Sequence, residues 1–258
     1  MSRATACLIS LVMAVAPLVG SAVRPADAQG NPLRLLVSNG FKGSLEALRA
    51  RAEKAIGRSL SVEFSSTAGL KKKIAAGEPF DATIITVEAI DELIAQGTLA
   101  AASRKDVGRS ELGIGIRAGA PKADIRTTEA LKTSLLAAPS ITYPQDGASR
   151  GYLEAMFERL GIAADLKPKI ILANGSGPAT ESVAAGKAAM VMTLFSEIVP
   201  VKGAEILGPL PGGFRFDIRF AAAVSTRSKN ADAARALIAF LTSPTSAPVL
   251  KAQGIEPK

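Results

Sequence analysis

The spacing of apolar positions alternates between two periods from Leu33 onward. Leu33–Val37 is a short apolar run that predicts a strand, and Leu45, Leu48, Ala52 and Ile56 then recur at helical spacing until Gly57 stops them. Leu60–Phe64 alternates like a second strand. Ala68–Ala76 reads as a helix that turns Leu70 and Ile74 inward and Lys71-Lys72-Lys73 mostly outward. Ala82–Ile85 predicts a third strand, followed by a helix with Val87, Ile90, Leu93 and Ile94 on one face. Three strand–helix units in succession imply a parallel sheet with helices on both faces.

After the strand-like run Leu112–Ile116, Gly119-Ala120-Pro121 breaks the pattern and a second set begins. Thr127–Ala137 and Gly151–Leu160 read as helices, Ile141–Tyr143, Ile170–Leu172 and Ala188–Thr193 as strands, with a short helix from Pro178 to Ala185. Gly208–Gly213 is turn-rich, Phe214–Val224 is long and β-like, and two helices, Asp232–Thr242 and Pro244–Gln253, close the chain. Two α/β lobes joined by crossing strands are expected, with one large doubly wound domain as the alternative.

The stretch ahead of this alternation differs in kind. Arg3 precedes a run from Ala4 to Val23 without a charge, and Ala26-Asp27-Ala28 places small residues where a signal peptidase reads. The expectation is an exported, periplasmic protein cleaved after Ala28; an uncleaved membrane anchor is the rival, weakened by Pro17 and Gly20. Cleavage removes Cys7, the one cysteine, and the chain has no histidine.

That composition narrows the chemistry. Without imidazole there is no Ser-His-Asp triad, and no disulfide framework or Cys/His metal site. A net charge of +8 suits a nucleic acid, an anionic membrane or an acidic small ligand; export and an aromatic content of 4% argue against nucleic acid. No cofactor or metal is expected. Tyr143 and Tyr152 are separated across a turn, unlike the adjacent pair of a ferric site, and too few aromatics are present for a cationic cage.

Four strand-to-helix junctions share one composition: Ser38-Asn39-Gly40, Ser66-Thr67 within Ser65–Gly69, Gly147-Ala148-Ser149, and Asn174–Gly177 with Ser176. Each sets small hydroxyl or glycine residues beside the unpaired N–H groups of a helix start, where anions are attracted. Taken singly these are ordinary capping residues. Two in each half, all at strand C-termini, define a ligand cleft. Gly147-Ala148-Ser149-Arg150-Gly151 also fits a G-x-S-x-G elbow, but a serine nucleophile has only a lysine such as Lys42, near Ser38, to activate it, so catalysis is not expected. Lys71-Lys72-Lys73 is read as a solvated face or a contact with a membrane partner, and Asp81 as a turn or strand-start group.

The residues Leu33-Arg34-Leu35-Leu36-Val37-Ser38-Asn39-Gly40, Val62-Glu63-Phe64-Ser65-Ser66-Thr67, Ile74-Ala75-Ala76-Gly77-Glu78-Pro79-Phe80-Asp81, Gly147-Ala148-Ser149 with Tyr152 and Leu160-Gly161, and Phe240-Leu241-Thr242-Ser243-Pro244 resemble the molybdate-binding periplasmic proteins of ABC importers. The resemblance implies a two-lobed type II periplasmic binding fold, α/β, each lobe a mostly parallel sheet flanked by helices. Residues 29–114 plus 217–258 would form lobe 1 and 115–216 lobe 2. It also implies a monomer that holds an oxyanion with neutral donors and hands it to an inner-membrane permease. Carried over by position, the first serine falls on Gly40, with Ser38 or Asn39 as substitutes, and the second hydroxyl on Thr67, beside Ser66. Backbone donors fall on Ser149 and Ser176, and the tyrosine falls on Leu194. Arg150 adds a charge the neutral-donor design lacks; pointing inward, it would favour a small carboxylate or phosphate-bearing ligand.

Overall fold

Each strand–helix pair expected in the first half forms, and each begins at a hydroxyl. Strand β1 (Leu33–Ser38) runs into α1 (Asn39–Ile56), β2 (Leu60–Ser65) into α2 (Thr67–Ala75), and β3 (Ala82–Thr86) into α3 (Val87–Ala95). Ser38 caps α1 by accepting from Gly40 N, and Ser66 caps α2 by accepting from Gly69 N. Gly57 ends α1 in the left-handed region (φ 65°), a conformation that costs glycine nothing. The computed structural model describes residues 31–258, so the expected leader and the cleavage after Ala28 lie outside the described residues.

The second half continues with β4 (Lys105–Arg117), α4 (Thr128–Ala137), β5 (Ile141–Pro144), α5 (Arg150–Arg159), α6 (Ala163–Leu166), β6 (Ile170–Ala173), α7 (Ser176–Ala184), β7 (Met190–Leu194), α8 (Phe195–Ile198) and β8 (Ala204–Pro209). The chain closes with β9 (Asp217–Val224), α9 (Ala231–Leu241) and α10 (Ala247–Ala252). Among the described residues the strands run in the order β2-β1-β3-β9-β4-β7-β5-β6, with β8 on β4. β1 pairs in parallel with β2 and β3, and β5 with β6 and β7. The antiparallel strands are β4, β8 and β9, and β4 joins the two parts of the sheet. Its first half, Lys105–Glu111, pairs with β9, and its second, Leu112–Arg117, with β7 and β8.

Three elements had no signal in the periodicity. α6 and α8 are too short to complete two helical turns, and β8 is half-buried along its whole length, so no alternation marks it. β4 is longer than its apolar run because Lys105–Glu111 is polar and takes its strand conformation from pairing with β9.

Alternate residues of β1 face two cores. Leu35 and Val37 pack with Leu45 and Leu48 of α1, whereas Leu36 packs with Leu70 and Ile74 of α2 and Ile90 and Leu93 of α3. The sheet is therefore covered on both faces, and the C-terminal strand ends are left for ligands. Asp81 is structural: it accepts from Arg34 N (2.9 Å), Ser228 Oγ (2.6 Å) and Asn230 Nδ2 (3.1 Å), tying the entry to β3 onto the segment between β9 and α9.

Candidate functional site

The C-terminal ends of parallel strands from both parts of the sheet converge on one small cavity. Ser38 and Asn39 arrive from the β1–α1 junction and Ser66 and Thr67 from β2–α2; Gly147, Ala148 and Ser149 precede α5, and Ser176 opens α7. Pro144, Asp146, Leu194, Glu197, Ile218 and Phe220 complete the wall. The cavity measures about 30 Å³, room for about two water-sized groups. Six of the eight residues singled out from the sequence thus meet around it: Ser38, Asn39, Ser66, Thr67, Ser149 and Ser176.

The hydroxyls divide by how they are used. Ser38 and Ser66 are occupied as caps. Ser149 stands at the start of α5, buried, and makes no cap bond. Thr67 Oγ1 is buried with no hydrogen-bond partner in the protein. A buried hydroxyl left without a partner costs about 1–3 kcal/mol, so an acceptor placed in the cavity recovers that loss. α7 is capped by Gly175, whose φ of 106° is open to glycine, and Thr180 anchors the helix by donating to Glu197 O (3.1 Å).

Glu197 was not singled out from the sequence. Its carboxylate accepts from the Thr193 hydroxyl and, at 3.4 Å, from Leu194 N, both through Oε2, and the Ser176 hydroxyl supports the same group. The signal that could have found it is a glutamate three residues into a helix, facing back on its start. Burial pushes its pKa above the ordinary carboxylate range and Asp146 adds to the rise, while the bonds from Thr193, Ser176 and Leu194 oppose it. No lysine or arginine stands among the described residues of the wall.

A pH dependence follows. Between the ordinary glutamate range and the raised value, folded Glu197 keeps its proton while the unfolded residue has lost it, so this group's contribution to stability falls as pH rises. Melting temperatures of the wild type and Glu197→Gln, compared from mildly acidic to mildly alkaline pH, should show a downward slope in the wild type that the variant lacks.

The remaining singled-out residues lie elsewhere. Gly40 is inside α1, outside the cavity wall, and its N–H is directed at Ser38 Oγ (3.4 Å). A Cβ there would stand 2.6 Å from Phe220 Cζ and 3.1 Å from Leu194 Cδ1, so phenylalanine and leucine occupy the space that a serine side chain needs. Arg150 turns away from the cavity: its guanidinium donates to Glu154 Oε1 and to Gln145 O, each at 2.8 Å, because glutamate one turn along α5 offers a nearer partner than the cleft. Lys42 lies over the Phe64 ring (5.6 Å) and 4.0 Å from Glu46, with no bond to Ser38. Tyr143 is buried beside Phe157, and Tyr152 stacks on Phe216 at 4.2 Å. Lys71 pairs with Glu92 and Lys73 with Glu63 and Glu78, whereas Lys72 is exposed. Among the described residues no group of three or more carboxylates is placed to hold a metal ion, and no helix is long and apolar enough to cross a membrane.

Helix starts from two α/β halves, joined by β4 and β9, meet at a cavity whose wall carries hydroxyl groups together with Asp146 and Glu197, in the type II periplasmic binding fold. The chain belongs to the bacterial extracellular solute-binding protein family, which matches residues 33–256. It is 30% identical over 98% of its length to an aconitate isomerase from a Pseudomonas species, covering 96% of that protein. It is 24% identical over 92% of its length to the molybdate-binding protein ModA of Azotobacter vinelandii, covering 94% of it. The solved periplasmic molybdate-binding protein of the same organism superposes with a TM-score of 0.75 at 20% identity, over 88% of this chain and 99% of that one, and so shares the fold.

Proposed function

We propose that this chain is the periplasmic receptor of an ABC importer, cleaved after Ala28 and working as a monomer, that closes on a small anion and delivers it to an inner-membrane permease. Residues 29–114 plus 217–258 form one lobe and 115–216 the other, with β4 and β9 as the connection. The observation that carries the reading is Thr67, which lines the cavity and whose buried Oγ1 has no protein partner. Hydrogen bonds from such donors to a charged acceptor contribute about 1.5–3 kcal/mol each, and the helix starts add their dipoles. A cavity of about 30 Å³ with neutral donors suits a compact oxyanion of the molybdate type.

A second ligand reading has its own observation. Leu194, Ile218, Phe220 and Pro144 give one side of the wall a hydrocarbon surface, where an oxyanion with charged oxygens all round finds no donors. A small organic carboxylate has one end for the donors and a carbon skeleton for this wall, and the Pseudomonas relative is named for a tricarboxylate. Thermal shift of the purified protein with molybdate, tungstate, sulfate, phosphate, trans-aconitate and simpler carboxylates separates the two. A one-site ligand at a hundredfold excess over Kd adds about 2.7 kcal/mol, or roughly 5–10 °C. A shift with oxyanions alone selects the first reading and with carboxylates alone the second. No shift with any of them removes the anion cleft.

A further inference from the structure

The wall of the cavity holds two acidic residues that the binding of an anion leaves unexplained. Asp146 and Glu197 both line it, and among the described residues no lysine or arginine does. Arg150, the cation nearest to Asp146 along the chain, is taken up by Glu154 and by Gln145 O. Asp146 also faces an open groove of about 590 Å³; Lys71 and Lys72 line that groove and not the cavity, and Lys71 is held by Glu92. On the other side Glu197 reaches an open pocket of about 630 Å³, where Lys42 and Lys202 are matched in number by Glu46 and Glu181. Burial raises the pKa of Glu197 and the charge of Asp146 raises it further, the direction expected of acidic groups with no cation on the wall.

The cavity thus presents two kinds of polar group. Thr67 Oγ1 is a donor without a protein partner, and Ser149, 4% exposed and without a cap bond, is a second hydroxyl on the wall. Asp146 and Glu197 are acceptors. A ligand that is negative on every side satisfies the first kind and is repelled by the second, and a buried charge without a counter-charge is costly.

We propose that the ligand carries its own cation: a small aminocarboxylate whose carboxylate meets the helix starts and whose ammonium meets Asp146 and Glu197. The inference rests on the carboxylate reading above and narrows it. An ammonium brings three N–H donors and no acceptor, so one group serves both acidic residues, whereas molybdate and simple carboxylates bring only further acceptors. Leu194, Ile218 and Phe220 take the carbon chain, and a cavity of about 30 Å³ keeps that chain short.

Calorimetric titration of the purified protein tests this with glycine, L-alanine, β-alanine and γ-aminobutyrate against acetate, propionate and butyrate, the same chains without the ammonium. At least one aminocarboxylate is expected to bind about tenfold to a hundredfold more tightly than its ammonium-free counterpart. Asp146→Asn, a change at an exposed position, should weaken that aminocarboxylate by about tenfold or more and strengthen the counterpart, because it removes an attraction from one and a repulsion from the other. Glu197→Gln should act in the same two directions, and decides the question should Asp146→Asn not fold. An ammonium that adds nothing to affinity, or variants that leave both members of a pair unchanged or move them the same way, would overturn the proposal and leave the carboxylate reading standing. Binding of no compound in either set would remove the carboxylate reading and this proposal with it.

Discussion

Phe220→Ala is expected to destabilise the protein by about 3–5 kcal/mol, the largest effect of any single change considered at the cleft. Phe220 sits in the middle of the sheet on β9, opposite Thr86 of β3 and Gly108 of β4. Its ring is buried, tilts against Phe41 at 6.2 Å and covers Gly40. Truncation leaves a void between α1 and the connecting strands, where the surroundings are held by β pairing on both sides and have little freedom to collapse. Gly40→Ser alone should cost about 1–3 kcal/mol, because the added atoms meet Phe220 and Leu194. The double variant should recover part of the loss, since the serine then enters the vacated space, and that coupling identifies the contact. Urea unfolding of the three variants measures this. A Phe220→Ala cost below about 1 kcal/mol would show that the ring is not a structural wall of the cleft.

Thr67→Ala is expected to have effects of opposite sign on stability and on binding. Removing a buried hydroxyl that has no protein partner relieves a penalty, so the unliganded protein should melt at the same temperature or higher. Affinity for the anion that proves to be the ligand should fall by about tenfold to a hundredfold or more, the equivalent of about 1.5–3 kcal/mol. The loss should be larger than for Ser66→Ala, because the Ser66 hydroxyl already serves the start of α2 by accepting from Gly69 N (3.1 Å). Ser66→Ala should instead lower the melting point, a lost cap costing about 1 kcal/mol. Thermal melts paired with calorimetric titration on the two variants distinguish these patterns. A lower melting point for Thr67→Ala with unchanged affinity would make this hydroxyl structural.

The two residues differ in their place at the helix start: Ser66 is the cap of α2 and Thr67 its first helical residue. Ser66 and Thr67 are adjacent, both are hydroxyls at a helix start, and local rules favour either as a cap. In the structure Ser66 takes the cap bond from Gly69 N, and Thr67 Oγ1 is left without a protein partner. Arg150 is the opposite case, with its deciding partner four residues along its own helix. As a charge at the start of α5 it could face the cleft or run along its own helix, and the position of Glu154 decided for the helix.

Local pattern by itself determined the alternation of strands and helices, the ends of α1 and α2, and the junctions that carry the donors. These follow from side-chain periodicity and from capping, interactions that reach no further than about four residues along the chain. The resemblance to periplasmic binding proteins came from the same short segments. Only the tertiary structure decided that Lys105–Glu111 is a strand, that Gly40 is filled by Phe220, and that Glu197 stands in the wall of the cavity. Each of these depends on a partner that the chain reaches through long-range pairing, across a sheet whose neighbouring strands are distant in sequence, and no local period records such a partner.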